Sequence, residues 1–578
     1  MLALLFLSLA SPAVASIIHN RAYDSPSFRA PQLATPRDAV RRNHKRWEYY
    51  DGQVEFPYNV ASGDPESDSV ILWTHPIPTT NDSRPVCLEY QVSHSNDSWS
   101  EGDIITSDQV WTTPEVDYSY KVEAKGLQPK STYYYRFANC ADKNNVSPVG
   151  RFLTTPVEDD DEIDKLSFAV FSCSNYPFGF FNAYGNAAAR DSIDYAVHVG
   201  DYIYEFRGDG CDGKACYGDG RDIGRVPEPN RELFLLEDYR TRYKQYRSDP
   251  DLQALHASHA WQLVWDDHEV ADNSWKAGSA DSNDTIAGTQ YNTSFTQRKA
   301  NAVKAYFEWL PIRTVETDDA LRIWRSFKFG TLADLYMLDT RQYNRDLTDI
   351  YYNTHDVKAI QNEEARSLMG GRQENWFYNG LKNSSQRGAQ WKIVGQQIVC
   401  KFANLVTDNV DAWDGYKANR RRVLDTISQN NIDNVLILSG DSHANWVSDI
   451  TYDDKDGYNT VTGDGSYAVE FAGTAVSSPS SFGYNHSELY QLNTSSRHLI
   501  NATGNEELQW TEGATRGYFE LHLTRQDATA VYYGIDDVRT HSSDERVLAT
   551  FVVEDKANKL RRPVADGNVT GGVLAKRG

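Results

Sequence analysis

Between residues 56 and 155 the chain alternates apolar and polar positions in short runs. SVILWTHP, CLEYQVS, YSYKVEA and STYYYRFAN are rich in β-branched and aromatic residues and are separated by turn residues, the spacing of an all-β sandwich. After Asp164 the pattern changes. Apolar runs at 165–172, 195–199, 263–265, 332–338, 391–394 and 435–438 have the length of buried strands, while 239–246, 297–309 and 417–429 place apolar residues at helical spacing. Strands interleaved with helices predict an α/β or layered mixed domain over 165–545, with later strands at 467–472, 518–524 and 530–533 completing a second sheet. The acidic run 158–164 (EDDDEID) reads as a solvated linker, residues 17–55 as an arm laid over the surface, and 546–578, polar and basic from Lys556, as a tail. Two long polar loops, 207–229 and 276–292, are placed to cover or border a site.

Composition narrows the partners. A chain of 578 residues predicts two domains, and 81 acidic against 58 basic residues, a formal charge of −23, exclude nucleic acid as a bulk partner while leaving a small phosphate ester open. Residues 1–16 form an apolar run ending in small residues, the shape of a cleaved signal peptide; no later stretch has the roughly 18 apolar residues of a spanning helix. N-x-S/T triplets at Asn81, Asn96, Asn145, Asn283, Asn292, Asn383, Asn485, Asn493, Asn501 and Asn568 fit a secreted glycoprotein, free in the medium or held at the cell wall. A monomer is expected. With six cysteines, a large core rather than a disulfide framework must hold the fold. Cys87–Cys140 and Cys211–Cys216 are the expected pairs, which leaves Cys173 and Cys400.

Three acidic stretches carry the chemistry: VHVGDYIYE (197–205), LVWDDHEV (263–270) and VLILSGDSHAN (435–445). Each closes an apolar run with a Gly or a carboxylate where a strand would give way to a loop, the usual location of a site. Asp201, Asp267, Asp441, His268 and His443 offer hard oxygen and imidazole donors, and Tyr204 and Cys173 add softer anionic ones. Gly200 permits the sharp bend that puts Asp201 at the strand end. The adjacent carboxylates Asp266 and Asp267 would repel in a dry site unless a cation compensates, so they mark either a surface loop or a metal site. His268 is either a ligand or the donor of a proton to a leaving group. Asp441 and His443, two apart, share a face if the segment is extended. Cys173 is a ligand, a small buried hydrophobe or a partner of Cys400. Arg207, beside the GDYIYE turn, is placed to clamp a phosphate.

In order along the chain, FPYNVASGDPESDSVILWT, FSCSNY, HVGDYIYE, WDDHEVADN, YMLDTRQY, WKIVGQQ, LSGDSHANW, EFAGTAVSSPS and RGYFELHL resemble the PhoD-like alkaline phosphatase family of the metallophosphoesterase class, from about Phe56 to Thr524. The resemblance implies an N-terminal fibronectin-like β-sandwich followed by a two-sheet α-β-β-α catalytic domain related in plan to purple acid phosphatases. It also implies an Fe3+ and Ca2+ centre that hydrolyses phosphate monoesters and diesters by metal-activated hydroxide, without a covalent intermediate. Carried onto this sequence, it assigns Cys173, Asp201 and Tyr204 to iron and Asp267, Asp441 and His443 to the rest of the cluster, with Asp266 and Asn273 as further ligands. A phosphodiesterase using the same cluster, and a non-catalytic binding glycoprotein with structural metals, are the competing functions.

Overall fold

The computed structural model describes residues 49–208, 220–284, 293–316, 319, 321–400, 409–480, 482, 489–502 and 504–576. Leader residues 1–16 and the pair Cys211 and Cys216 lie outside them.

Two large mixed sheets organise the chain. The first has nine strands, in the order Arg546–Glu554, Asp527–Ile535, Arg516–Thr524, Lys165–Phe171, Tyr195–His198, Ala260–Leu263, Val60–Gly63, Ser69–Thr74 and Tyr120–Lys125. The second has eight: Arg325–Phe329, Ala333–Met337, Trp391–Gly395, Val435–Ser439, Ala468–Ala472, Asn445–Ile450, Leu508–Glu512 and Val573–Leu574. Within each, the central strands are parallel: those starting at Lys165, Tyr195, Ala260 and Val60 in one, and at Ala333, Trp391, Val435 and Ala468 in the other. Such strands are buried on both sides and read as apolar runs, as VLILS does. Phe168, Trp261, Phe329, Leu335, Ile393, Leu436, Phe471 and Phe519, drawn from both sheets, belong to one continuous apolar core. A second core joins Val394 and Ile437 to the helices Gly370–Gln386 and Lys417–Gln429 through Phe377, Leu381, Leu424 and Ile427.

The N-terminal strands divide between two sheets. Ile104–Thr112, Val86–Ser93, Thr132–Asn139 and Gly150–Leu153 form a separate four-stranded sheet, in which Cys87 is bonded to Cys140. Their companions Val60–Gly63, Ser69–Thr74 and Tyr120–Lys125 instead continue the nine-stranded sheet, because Ser62 and Gly63 pair in parallel with Ala260 and Trp261. A Cβ at Gly63 would lie 2.2 Å from Pro311 O and 2.9 Å from Trp261 O, so only glycine permits this approach.

Three expectations change. The strands at Arg516–Thr524 and Asp527–Ile535 join the nine-stranded sheet, whereas Ala468–Ala472 joins the eight-stranded one, so they do not complete a single sheet. Residues 546–578 are not a free tail. Arg546–Glu554 is the edge strand of the large sheet, burying Leu548, Ala549, Phe551 and Val553, and Val573–Leu574 pairs with Leu508–Glu512. The acidic run 158–164 is stitched to the second sheet: Asp160 O accepts from Thr331 N (2.8 Å), and Glu158 pairs with Lys328 at 2.5 Å. The helices at Leu236–Arg247, Phe295–Trp309 and Lys417–Gln429 match expectation, the second capped by Ser294 Oγ accepting from Gln297 N.

Candidate metal centre

Parallel strands bring their carboxyl ends to one edge, and the loops leaving those ends make the natural site of such sheets. Here the loops after Phe171, His198, Leu263, Met337 and Ser439 carry Cys173, Asp201, Asp266 with Asp267, Arg341, and Asp441 with His443. Ligand atoms of Cys173, Asp201 and His443 lie within 4.8 Å of one another, as do those of Asp201, Asp267 and His268, and those of Asp266, Asp267 and Asp441. Asp201 and Asp267 each belong to two of these groups, so the three are one continuous cluster. Tyr204 joins it through its hydroxyl, 2.9 Å from Asp201 Oδ2 and 3.0 Å from His443 Nε2. Asn273 borders it: its backbone N–H donates to Asp267 Oδ2 at 2.6 Å and its side-chain amide to Asp349 O at 2.8 Å.

The local backbone is arranged for this convergence at a cost. Cys173, Asp201, Asn273, Asp441 and His443 all have positive φ, between 49° and 63°, a region that non-glycine residues seldom occupy and that is concentrated at functional sites. Consequently Asp441 and His443 do not project from an extended segment; each is turned by its own left-handed residue. Gly200, at φ 117°, has no room for a side chain, because a Cβ would meet Asp266 Cβ at 2.4 Å. Two backbone bonds donated in the same direction, Cys173 N to Gly200 O (3.1 Å) and Ser174 N to Asp201 O (2.9 Å), lock the first two loops together.

Three buried groups not assigned from sequence hold these loops. Glu269 accepts from the backbone N–H groups of Asp201 (3.2 Å), Tyr202 (2.5 Å) and Asp266 (2.7 Å), so one carboxylate clamps two ligand-bearing loops. Glu205 accepts from Asp272 N (2.6 Å) and meets His268 Nδ1 at 2.8 Å, which leaves His268 Nε2 for other work. Arg341, fully buried, bonds to Asp266 and Asp441, reaches Asp411 Oδ2 at 2.6 Å and lies 3.7 Å from Asp267. Arg207, read from sequence as a phosphate clamp, is half-buried two residues after Glu205. Glu205, Glu269 and Arg341 all stand inside the motifs GDYIYE, WDDHE and YMLDTRQY; asking what neutralises or orients each buried charge would have found them. Asp411 lies in no such motif.

Electrostatically the cluster is overloaded with negative charge. Burial, reinforced by neighbouring carboxylates, pushes Asp201 and Asp266 well above the usual range despite His268 and Arg341 beside them, and Asp441 rises to about 6. Burial acts the same way on Asp267, but Arg341, His268 and the Asn273 N–H outweigh it and bring that carboxyl to about 2. Burial and Arg516 press His443 down to about 3; with His443 Nδ1 2.9 Å from Pro479 O, its Nε2 is a neutral donor atom. Three buried carboxylate oxygens, Asp201 Oδ1, Asp266 Oδ2 and Asp267 Oδ1, have no hydrogen-bond partner. Unsatisfied buried carboxylate oxygens are costly, and this donor set of carboxylates, imidazoles, a phenol and a thiol fits metal cations. Cys173 and Cys400 are both buried free thiols, so neither ties up the other.

The sequence model of the family described as PhoD-like phosphatase matches residues 168–532, and that of its N-terminal domain matches 42–156. The chain belongs to the PhoD-like phosphatase family. It is an enzyme of the phosphatase class, a hydrolase. Among curated proteins, "Alkaline phosphatase D" of Bacillus subtilis (strain 168) is 32% identical over 531 residues, covering 90% of this chain and 84% of the relative. A solved structure of PhoD superposes with a TM-score of 0.74 at 29% identity, over 91% of this chain and 95% of that one. A purple acid phosphatase from yellow lupin seeds gives a TM-score of 0.48 at 11% identity, over 87% of this chain and 74% of its own.

Proposed function

We propose that this PhoD-like phosphatase is a secreted, metal-dependent alkaline phosphatase that releases phosphate from phosphate monoesters and diesters. The observation that carries the reading is the set of orphaned oxygens on Asp201, Asp266 and Asp267 within three overlapping ligand groups. Cys173, Asp201, Tyr204 and His443 would hold the more charged cation, Fe3+, and Asp266, Asp267, Asn273 and Asp441 the harder Ca2+ positions. Bound there, the cations would supply Lewis-acid charge and an activated water for in-line attack on phosphorus.

The chain's own residues do the rest. Glu205 holds His268 Nδ1, so Nε2 is the atom from which a proton passes to the departing alkoxide. The burial of His268 disfavours its charge, yet the carboxylates of Asp267, Glu205 and Asp201 outweigh that and raise the ring well above the usual imidazole range. Glu269 and Arg341 keep the carboxylates in place without reaching the ester. In this reading residues 56–155 are the N-terminal unit, whose strands divide between the four-stranded and nine-stranded sheets, the catalytic unit runs from 165 through the edge strand Arg546–Glu554, and 1–16 are the secretion signal. No helix among the described residues is long and apolar enough to cross a membrane. Of the acceptor triplets, Asn145 is committed elsewhere: its side chain exchanges two 2.9 Å bonds with the Val54 backbone. The protein is read as a monomer acting on small esters.

The test is release of p-nitrophenol from p-nitrophenyl phosphate by purified protein, before EGTA, after EGTA and after calcium is restored. Activity lost and regained is the expected result. Activity indifferent to chelation overturns the metal-dependent reading.

A further inference from the structure

Beside the cluster stands an aromatic side chain that the reaction as described does not use. Tyr351 is 67% exposed and its neighbour Tyr352 is 74% exposed, the largest exposures among the exposed bulky hydrophobic residues. Tyr351 has φ 71°, a left-handed conformation unfavourable for a bulky side chain. Its hydroxyl is not free to swing, lying 3.0 Å from both carboxylate oxygens of Asp272. The loop is stitched a second time: Asp349 Oδ1 accepts from Tyr351 N at 2.8 Å, and Asp349 O accepts from Asn273 Nδ2 at 2.8 Å.

Residues 272 and 273 are a wall of the centre. Asn273 N–H holds Asp267 Oδ2 at 2.6 Å, and Asp272 N–H holds Glu205 Oε1 at 2.6 Å, the carboxylate whose other oxygen orients His268. A ring exposed to solvent, pinned at its hydroxyl and carried on a strained residue loses conformational freedom without gaining burial. That arrangement makes sense when something else lies on the ring. A stacking face also recognises the uncharged part of an ester without adding charge to an already anionic centre, and pinning lowers the entropy lost on binding.

We infer that Tyr351, with Tyr352 beside it, is a stacking platform for a flat aromatic group in the alcohol portion of the ester, an aryl ring or a nucleobase. The inference rests on the phosphatase reading above and adds the substrate class. Tyr351 is thereby a specificity-determining residue; it takes no part in bond cleavage.

The test compares kcat/KM for p-nitrophenyl phosphate and for glycerol phosphate in the metal-replete wild type, Tyr351→Ala and Tyr351→Phe. Tyr351→Ala is expected to lower the aryl-to-glycerol ratio about tenfold, the scale of one lost stacking contact, mainly through a raised KM for the aryl ester. Tyr351→Phe keeps the ring and loses only the tether to Asp272, so it retains most of the ratio. An unchanged ratio in Tyr351→Ala, or a loss in Tyr351→Phe as large as that in Tyr351→Ala, overturns the platform while leaving the phosphatase reading intact. Wild-type protein that turns over neither ester overturns both.

Discussion

Two buried clusters of aspartate and arginine behave differently. At the junction of the N-terminal strands with the large sheet, Asp64 has both oxygens engaged: Oδ1 by Arg325 Nη2 (2.5 Å), and Oδ2 by Arg325 Nε (2.8 Å) and Arg313 N (2.6 Å). In the candidate metal centre, Arg341 meets Asp266, Asp411 and Asp441 and lies 3.7 Å from Asp267, yet one oxygen on each of Asp201, Asp266 and Asp267 has no hydrogen-bond partner. Both clusters are buried and both include a positive-φ aspartate, Asp64 in one and Asp201 in the other. Burial and strain therefore do not separate structure from function. What separates them is closure: the first ion cluster satisfies its carboxylate internally, whereas the second contains more anionic oxygen than its arginine can neutralise.

The sharpest break in the comparison is at Asp201, which belongs to two of the three ligand groups. Asp201→Ala is expected to lower kcat/KM for p-nitrophenyl phosphate by about 1,000-fold or more, with secretion and far-UV circular dichroism unchanged. A near-wild-type rate would remove Asp201 from the centre. The matching substitution in the closed cluster, Asp64→Asn, leaves Arg325 buried without its partner and should cost about 3 kcal/mol of stability in urea unfolding. It should leave the metal content per folded molecule unchanged. Metal loss without destabilisation would show that closure is no guide to role.

Much of this was legible in the sequence, and the gaps have physical causes. Cys173, Asp201, Tyr204, Asp266, Asp267, His268, Asp441 and His443 were readable because a carboxylate or imidazole closing an apolar run has few structural uses, and they do converge. Arg341 was not read as part of the site because the acidic motifs were weighed as ligands, and the cation that balances them stands in a different motif, YMLDTRQY. Glu269 was hidden by its function: it works through backbone N–H groups, which leave no trace in a side-chain pattern. Period-2 alternation identified 518–524 as a strand but carries no information on which sheet it joins, since pairing is set by long-range contacts. The strand RVLATFVVE heads a segment read as a tail, whose polar, basic composition begins only at Lys556.

The clamp offers a finer probe of closure. Glu269 is itself closed, accepting three backbone N–H bonds, but the loops it joins are those of the open cluster. Glu269→Gln turns one acceptor into a donor facing N–H groups, so it should weaken metal retention about 10-fold to 100-fold, as outer-shell changes do. Equilibrium dialysis would register this as a shift in affinity with the same final stoichiometry. Retention equal to wild type would mean that the loops are held by the Cys173–Gly200 and Ser174–Asp201 backbone bonds alone.

The smallest effect concerns the price of leaving a cluster open, measured in chelated protein. Burial holds the Asp441 carboxyl at about 6, against 3.8 for an ordinary aspartate, even with Arg341 pulling the other way. Between those two values the native chain keeps a proton that the unfolded chain has released, so this group's contribution to stability falls as pH rises through the window and is level above about 6. Asp441→Asn has no such proton. The difference in unfolding free energy, variant minus wild type, should therefore climb in favour of the variant from about pH 4 to about pH 6, by on the order of 1 kcal/mol, and then flatten. A climb that persists when calcium and iron are restored would mean that burial alone sets this energy. A climb abolished when calcium and iron are restored would tie the instability of the open cluster to the cations it is built to receive.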